Sequence, residues 1–76
     1  MTSYHMTSFE TTDGINVSYC YTQQAVKDMK KDKIPDEDHL FVRSAKTNSS
    51  VQLEENDFEV EAIEDFKAKI KEGVLK

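Results

Sequence analysis

The strongest constraint on how this chain can fold is an Asp13-Gly14 pair between two runs of strand-forming residues, 4–11 and 15–21. Both runs are rich in tyrosine, phenylalanine, valine, isoleucine and threonine, the residues that are enriched in β-strands. An Asp-Gly pair flanked by such runs indicates a β-hairpin, because glycine adopts left-handed backbone angles at little cost. The sequence therefore predicts that the chain begins with two antiparallel strands.

The apolar pattern of the two runs also predicts the length of the hairpin loop. A two-residue loop would set polar residues against apolar ones on one face of the hairpin. A three-residue loop over 12–14, with Gly14 in the left-handed region, instead pairs Phe9 with Val17, and a slip of one residue would reverse this arrangement. We therefore predict that the strands pair Thr11 with Ile15, Phe9 with Val17, and Thr7 with Tyr19.

A short helix is predicted after the hairpin. Thr22 is a favourable N-cap residue, and 23–33 has the apolar spacing of a helix with one buried face. That face carries Ala25, Val26 and Met29. Ile34 precedes Pro35, and a residue before proline is pushed out of helical geometry, so the helix is expected to stop there.

The second half of the chain predicts two strands, 39–45 and 50–54, and a C-terminal helix. Segment 57–61 is ambiguous, because as part of that helix it would place Glu59 in the middle of the apolar face, where an unpaired carboxylate is costly. The strict alternation of acidic and apolar residues favours a short strand at 57–61 instead, with the helix running from there to 72.

Together these elements predict an α+β fold in which two helices cover one face of a small antiparallel sheet. The element order is ββαβββα, or ββαββα if segment 57–61 does not pair. With 76 residues, the chain is expected to form one small domain over 1–76.

The residue types argue against an enzyme and against a cofactor site. A catalytic cysteine needs a histidine beside it, but Cys20 lies in the middle of a strand, and His5 and His39 fall at surface or boundary positions. One cysteine and two histidines cannot build a structural zinc site, and two glycines in the whole chain leave no Gly-rich phosphate loop. We therefore predict a non-enzymatic protein with no cofactor and no metal.

The sequence also bears on location and on nucleic-acid binding. Residues 1–5 have neither the basic nor the apolar part of a secretory signal, and no apolar run is long enough to span a bilayer, so we expect a cytoplasmic protein. Aspartates interrupt the lysines of the predicted helix and no aromatic platform accompanies them, so we predict no direct binding of nucleic acid. These lysines are Lys27, Lys30, Lys31 and Lys33.

Negative charge is concentrated in the second half of the chain. Residues 36–66 carry ten acidic and two basic side chains, a net of −8, whereas the rest carries five acidic and eight basic ones, a net of +3. Like charges two residues apart on a strand face repel each other, and a basic partner would relieve that repulsion. The predicted partner-binding residues are Glu54, Glu55, Asp57, Glu59, Glu61, Glu64 and Asp65, with Asp36, Glu37 and Asp38 as a flank.

The predicted spacing of these carboxylates indicates a class of partner. On a strand, Asp57, Glu59 and Glu61 would stand about 6.6 Å apart, twice the strand rise of about 3.3 Å, a spacing like that of successive backbone phosphates. In composition, mainly over 36–66, the chain resembles the small acidic DNA-mimic proteins that some phages make to occupy the DNA-binding surfaces of host proteins. The resemblance implies an inhibitor of a nucleoid-associated or other DNA-binding protein, acting in the host cytoplasm.

A second class of function is also compatible with the sequence. Tyr4, Met6 and Phe41 fall on the sheet face away from the predicted helices, and an exposed apolar face is a common site of protein association. The alternative prediction is a small structural or oligomerising module, such as a homodimer, without DNA mimicry.

Overall fold

The computed structural model describes residues 3–49 and 51–75, with side chains for all of them except 55 and 56. Three strands form one antiparallel sheet in the order β1-β2-β3, and two helices cover one of its faces. The predicted α+β fold is thus confirmed. Along the chain the elements are β1 (His5–Glu10), β2 (Asn16–Tyr21), α1 (Gln23–Lys30), β3 (Leu40–Lys46), a 3-10 helix (Glu55–Phe58) and α2 (Glu59–Lys71).

The hairpin has the predicted loop and the predicted register. Phe9 lies opposite Val17, and the Thr11 N–H donates to the Ile15 carbonyl at 2.9 Å to close a three-residue loop. Gly14 has a φ of 82°, in the left-handed region that favours glycine. Phe9, Ile15, Val17 and Tyr19 therefore share the face of the hairpin that the two helices cover.

Replacing Gly14 by alanine should destabilise the protein through the backbone and not through crowding. An added Cβ would lie 3.7 Å from Asn48 Nδ2, which is an ordinary contact distance. The left-handed conformation costs an alanine about 1–2 kcal/mol, so urea unfolding should show a loss of that size for Gly14→Ala. Asparagine tolerates this region better, and Gly14→Asn should recover part of the loss. An equal loss in both variants would contradict this reason.

Helix α1 begins as predicted and ends earlier than predicted. The Thr22 hydroxyl accepts the Ala25 N–H at 3.2 Å, which is the expected N-cap bond. The helix ends at Lys30 and not at 33, because Asp32 takes a φ of 60°. The Lys33 N–H then turns back to the Asp28 carbonyl at 2.8 Å. The predicted inward side chains are all buried, and they are Ala25, Val26 and Met29.

Strand β3 contains a bulge that aligns its apolar residues with the core. Val42 lies opposite Tyr19, and Ala45 lies opposite Val17, so β3 has one residue more than β2 over this interval. The extra residue lets Val42 and Ala45, three positions apart, both point at the helices. A bulge increases the local twist of a strand and re-aims its side chains.

The core is centred on Phe66 of α2, which is fully buried. Its ring packs edge-on against Tyr19, with centroids 6.1 Å apart, and at a tilt against Tyr21, with centroids 5.1 Å apart. Such aromatic pairs contribute beyond the area that they bury. The contacts fix α2 across the helix-covered face of the sheet.

Two predicted strands are wrong. In the 50–54 segment, of which residue 50 lies outside the described residues, only Gln52 forms a bridge, to Lys46. In the 57–61 segment, the 3-10 helix ends at Phe58, and α2 begins at Glu59 instead of near 61. The carboxylate of Glu59 is exposed, so the desolvation cost that argued against a helix does not arise.

Candidate functional site

The predicted acidic surface does not form a regular row. A helix turns about 100° per residue, so residues two apart in sequence do not share a face, and the strand that would have aligned Asp57, Glu59 and Glu61 is absent. The side chain of Glu55 lies outside the described residues. Besides Glu59, four residues of the main predicted set are exposed but scattered over the segment before α2, the 3-10 helix and α2 itself, and they are Glu54, Asp57, Glu61 and Glu64.

Asp65 belongs to an internal network. Its Oδ2 accepts the Tyr19 hydroxyl at 2.8 Å and lies 2.9 Å from Lys69 Nζ. Lys69 also donates to Thr7 Oγ1 at 2.9 Å and to the Ser8 carbonyl at 2.8 Å, and so it ties α2 to β1. The sequence assigned Asp65 to a partner surface, but the structure gives this carboxylate the role of holding the fold together.

Burial raises the pKa of the Tyr19 hydroxyl well above its ordinary value, and the hydrogen bond to Asp65 raises it further. Burial also raises the pKa of Tyr21. As pH rises, the unfolded chain therefore loses these protons before the folded chain does. We expect the contribution of these two tyrosines to the free energy of unfolding to be level below about pH 10, the ordinary tyrosine pKa, and to fall above it.

Urea unfolding across this alkaline range measures the effect. Tyr19→Phe should reduce the alkaline fall in the free energy of unfolding without abolishing it, because Tyr21 still contributes. An alkaline fall as steep in Tyr19→Phe as in the parent protein would contradict the assignment to Tyr19.

A groove of about 670 Å³ opens where three segments meet. The loop after α1 forms one side, the start of β3 forms the floor, and the first turn of α2 forms the other side. The apolar part of the lining combines buried and exposed side chains, and it comprises Ile34, Pro35, Leu40, Phe41, Val42, Ala62 and Ile63.

Four carboxylates surround this apolar floor, and all four were among the predicted partner-binding residues. Asp36, Glu37 and Asp38 come from the loop, and Glu59 comes from the first turn of α2. All four side chains are exposed. The predicted flank and one member of the predicted main set thus meet at a single concave site.

The charge at the groove is uncompensated. No lysine, arginine or histidine is among its described lining residues, and the ion pair seen in the described part of the chain, Lys69–Asp65, lies elsewhere. Concave surfaces lined by one sign of charge above low-dielectric walls focus the electric field and attract ligands of the opposite sign. The groove therefore favours a cationic ligand with apolar parts.

A smaller depression of about 150 Å³ continues the groove past Ile34 and Ile63, which border both. Ile34 is 70% exposed, although it sits between two concavities. The far side of the depression has mixed charge from Asp32, Lys33, Glu64 and Lys67. The excess of negative charge is thus confined to the larger groove.

The apolar lining was not predicted as part of a site. The alternation of residues in 39–45 places Leu40 and Val42 on one face of the predicted strand and Phe41 on the other. The sequence signal that was available is the run Ile34-Pro35 directly before three acidic residues, which places exposed apolar surface next to negative charge. Nothing local to that run shows that α2 passes beside it.

The open face of the sheet has a second apolar feature. The rings of Tyr4 and Phe41 meet edge-on with centroids 5.6 Å apart, and the Tyr4 hydroxyl donates to the Asp38 carbonyl at 3.2 Å. Cys20 lies between Met6 and Phe41 in the sheet and is buried, whereas Met6 is 63% exposed.

The described residues show neither a metal-binding cluster nor a membrane-spanning helix. No group of three or more histidine, cysteine, aspartate or glutamate side chains is arranged to hold a metal ion within 3–49 and 51–75. No helix in the part of the chain that the structure describes is long and apolar enough to cross a membrane. No family model, curated protein or solved structure matches the chain.

Proposed function

We propose that this chain is a non-enzymatic protein-binding domain that takes a basic, partly apolar segment of another protein into the acid-rimmed groove. The observation that supports the proposal is the pairing of an apolar floor with four exposed, uncompensated carboxylates. Lysine and arginine side chains match this chemistry, because their aliphatic stems pack on apolar surface while their charges reach the rim.

Binding of this kind would inhibit a partner whose basic segment has another use, such as contact with DNA. The argument for DNA mimicry required an evenly spaced row of carboxylates on a strand at 57–61. That segment is helical, so the spacing does not support DNA mimicry. We therefore propose a basic partner, for which a DNA-binding protein is one candidate, and we propose that it contacts the groove instead of a row of carboxylates.

The proposal predicts binding of a short blocked peptide of alternating lysine and valine, followed by fluorescence anisotropy. Affinity should fall steeply as salt rises, because screening weakens the attraction between exposed charges. A matched peptide of alternating glutamate and valine should not bind. Equal binding of the two peptides, or binding of the lysine peptide that salt leaves unchanged, would contradict the proposal.

A second candidate function is self-association through the patch of Tyr4, Met6 and Phe41. The observation that favours it is the exposure of Met6 and Tyr4 beside an aromatic pair. It predicts a dimer in sedimentation experiments that salt does not weaken and that Met6→Ser, an exposed substitution, dissociates. A protein that sediments as a monomer over the accessible concentration range would contradict it.

A further inference from the structure

Three consecutive residues of β3 border the groove, namely Leu40, Phe41 and Val42. Side chains alternate between the two faces of a strand, so three consecutive residues border one groove only where that groove follows the edge of the strand. In the described sheet, β3 is an edge strand that pairs with β2 alone. The groove therefore runs along the side of β3 that faces away from β2.

The hydrogen bonds at the start of β3 fix the direction of its backbone groups. The Thr22 N–H donates to the His39 carbonyl at 3.0 Å, so the His39 carbonyl faces β2. Backbone N–H and carbonyl groups alternate in direction from one residue to the next along an antiparallel strand, so the backbone groups of Leu40 and Val42 face the groove. The Leu40 N–H donates away from β2, to the Asp36 carbonyl at 3.0 Å, which also accepts the His39 N–H at 2.8 Å in the turn before the strand.

Val42 thus presents an N–H and a carbonyl to the groove. Among the groups that the structure describes, which leave out the side chains of 55 and 56, neither has a hydrogen-bond partner on that side of the strand. Val42 is only 7% exposed, and buried backbone groups without a partner are rare, because they are costly. A bound backbone that supplied a carbonyl and an N–H would satisfy both groups.

At the C-terminal end of β3, the same edge already pairs with another segment of the chain, around Gln52 and Leu53. The Leu53 N–H donates to the Ala45 carbonyl at 2.9 Å, and Gln52 forms an antiparallel bridge with Lys46. This pairing stops before Val42. The edge of β3 is therefore geometrically able to take another strand. In its first half the Leu40 N–H is taken by the Asp36 carbonyl, and the Leu40 carbonyl and both backbone groups of Val42 are left to the groove in the part of the chain that the structure describes.

We propose that the basic segment binds as an extended strand added to the open edge of β3 at Leu40–Val42. This inference rests on the proposed function, and it specifies how the partner is held. Strand addition obtains affinity from backbone hydrogen bonds and specificity from alternate side chains. The residue paired with Val42 would point its side chain the same way as Val42, towards Ala62 and Ile63 of α2, so an apolar side chain fits there.

The acidic rim selects the occupant of this edge. An open strand edge invites pairing with any extended chain, including a second copy, and charged residues beside the edge oppose such pairing. If a second copy of the chain paired through the same edge, its four groove carboxylates would approach the four of the first copy, and the like charges would repel each other. A segment in which lysine or arginine alternates with apolar residues meets no such repulsion.

Selective N-methylation of the lysine–valine peptide tests the inference, because it removes chosen N–H donors without changing charge. Two isomers would be compared with the parent peptide, one methylated at the valines and one methylated at the lysines. In an added strand only alternate N–H groups face β3. Methylation of the valines should therefore reduce affinity about tenfold or more, whereas methylation of the lysines should leave it within about twofold of the parent.

Sensitivity confined to one isomer supports strand addition, and its identity tells which side chains point towards α2. Equal affinity of the two isomers, whether strong or weak, would overturn strand addition and leave groove binding standing, provided that the parent peptide binds and that Glu59→Gln weakens it. Failure of the parent peptide to bind would overturn both proposals. The Val42 amide adds an independent readout, because its hydrogen exchange should slow when the parent peptide binds.

Discussion

Neutralising three carboxylates at the groove should weaken binding of the lysine–valine peptide at low salt by about tenfold or more. The variant is Asp36→Asn, Asp38→Asn and Glu59→Gln combined. Exposed ion pairs contribute about 0.2–1 kcal/mol each, so three of them contribute about 0.6–3 kcal/mol, and the middle of that range exceeds the 1.4 kcal/mol that corresponds to a factor of ten. All three side chains line the groove and are exposed, so we expect the fold to tolerate the change.

A second triple variant provides a control of matched charge. Glu54→Gln, Asp57→Asn and Glu61→Gln also remove three exposed carboxylates, and none of them lines the groove. Both triple variants have a formal net charge of −2, compared with −5 for the parent. The control should lose only the long-range part of the attraction, about twofold to threefold. Equal losses in the two variants would show that total charge, and not the groove, determines binding.

Phe66→Ala should destabilise the protein by about 3–5 kcal/mol, the usual range for removing a buried phenylalanine. Phe66 is fully buried and packs against both Tyr19 and Tyr21. For a chain of 76 residues, an ordinary stability is about 4–11 kcal/mol. The variant should therefore lie close to the threshold of folding, and its urea midpoint should fall accordingly.

Val60→Ala on the same helix serves as the control for that experiment. Val60 is 68% exposed, so its truncation should change the free energy of unfolding by less than about 0.5 kcal/mol. Similar losses of unfolding free energy in the two variants would mean that the face of α2 that carries Phe66 does not pack against the sheet. Since α2 forms one side of the groove, Phe66→Ala should also weaken peptide binding in proportion to the unfolded fraction.

The parts of the fold that the sequence predicted correctly depend on short-range patterns. The hairpin register follows from the positions of Phe9, Val17 and Gly14, all within nine residues of one another. The start of α1 follows from the hydroxyl of Thr22 and the backbone N–H that it accepts three residues later. In each case the residues that decide the structure are neighbours along the chain.

The segment at 57–61 could not be predicted in the same way, because its structure depends on distant contacts. Alternation of acidic and apolar residues favoured a strand, but Val60 is exposed in the structure and gains little from its apolar character. The packing of Phe66 fixes the position of helix α2 on the sheet. The first turn of α2 extends to the groove, where the carboxylate of Glu59 stays exposed to solvent. Tertiary packing thus outweighed the local pattern.

The groove was predictable in its charges and not in its shape. The loop at 36–38 and Glu59 were both predicted to bind a basic partner, but on different parts of one extended surface. Their meeting depends on the direction in which α2 crosses the sheet, which the sequence alone does not specify. The open edge of β3 depends on the same geometry, because the chain leaves that edge after Leu53 and turns into the 3-10 helix instead of continuing beside Val42.

The most direct test of the groove is a titration of the isotope-labelled protein with the lysine–valine peptide, followed by the backbone amide signals in NMR spectra. We predict that the signals that shift are those of Ile34 and 36–42 together with Glu59, Ala62 and Ile63; Pro35 has no backbone N–H. Signals from Met6 and Cys20 on the open face of the sheet should stay in place. Shifts centred on that face, or on the 3-10 helix at Asp57, would contradict binding in the groove.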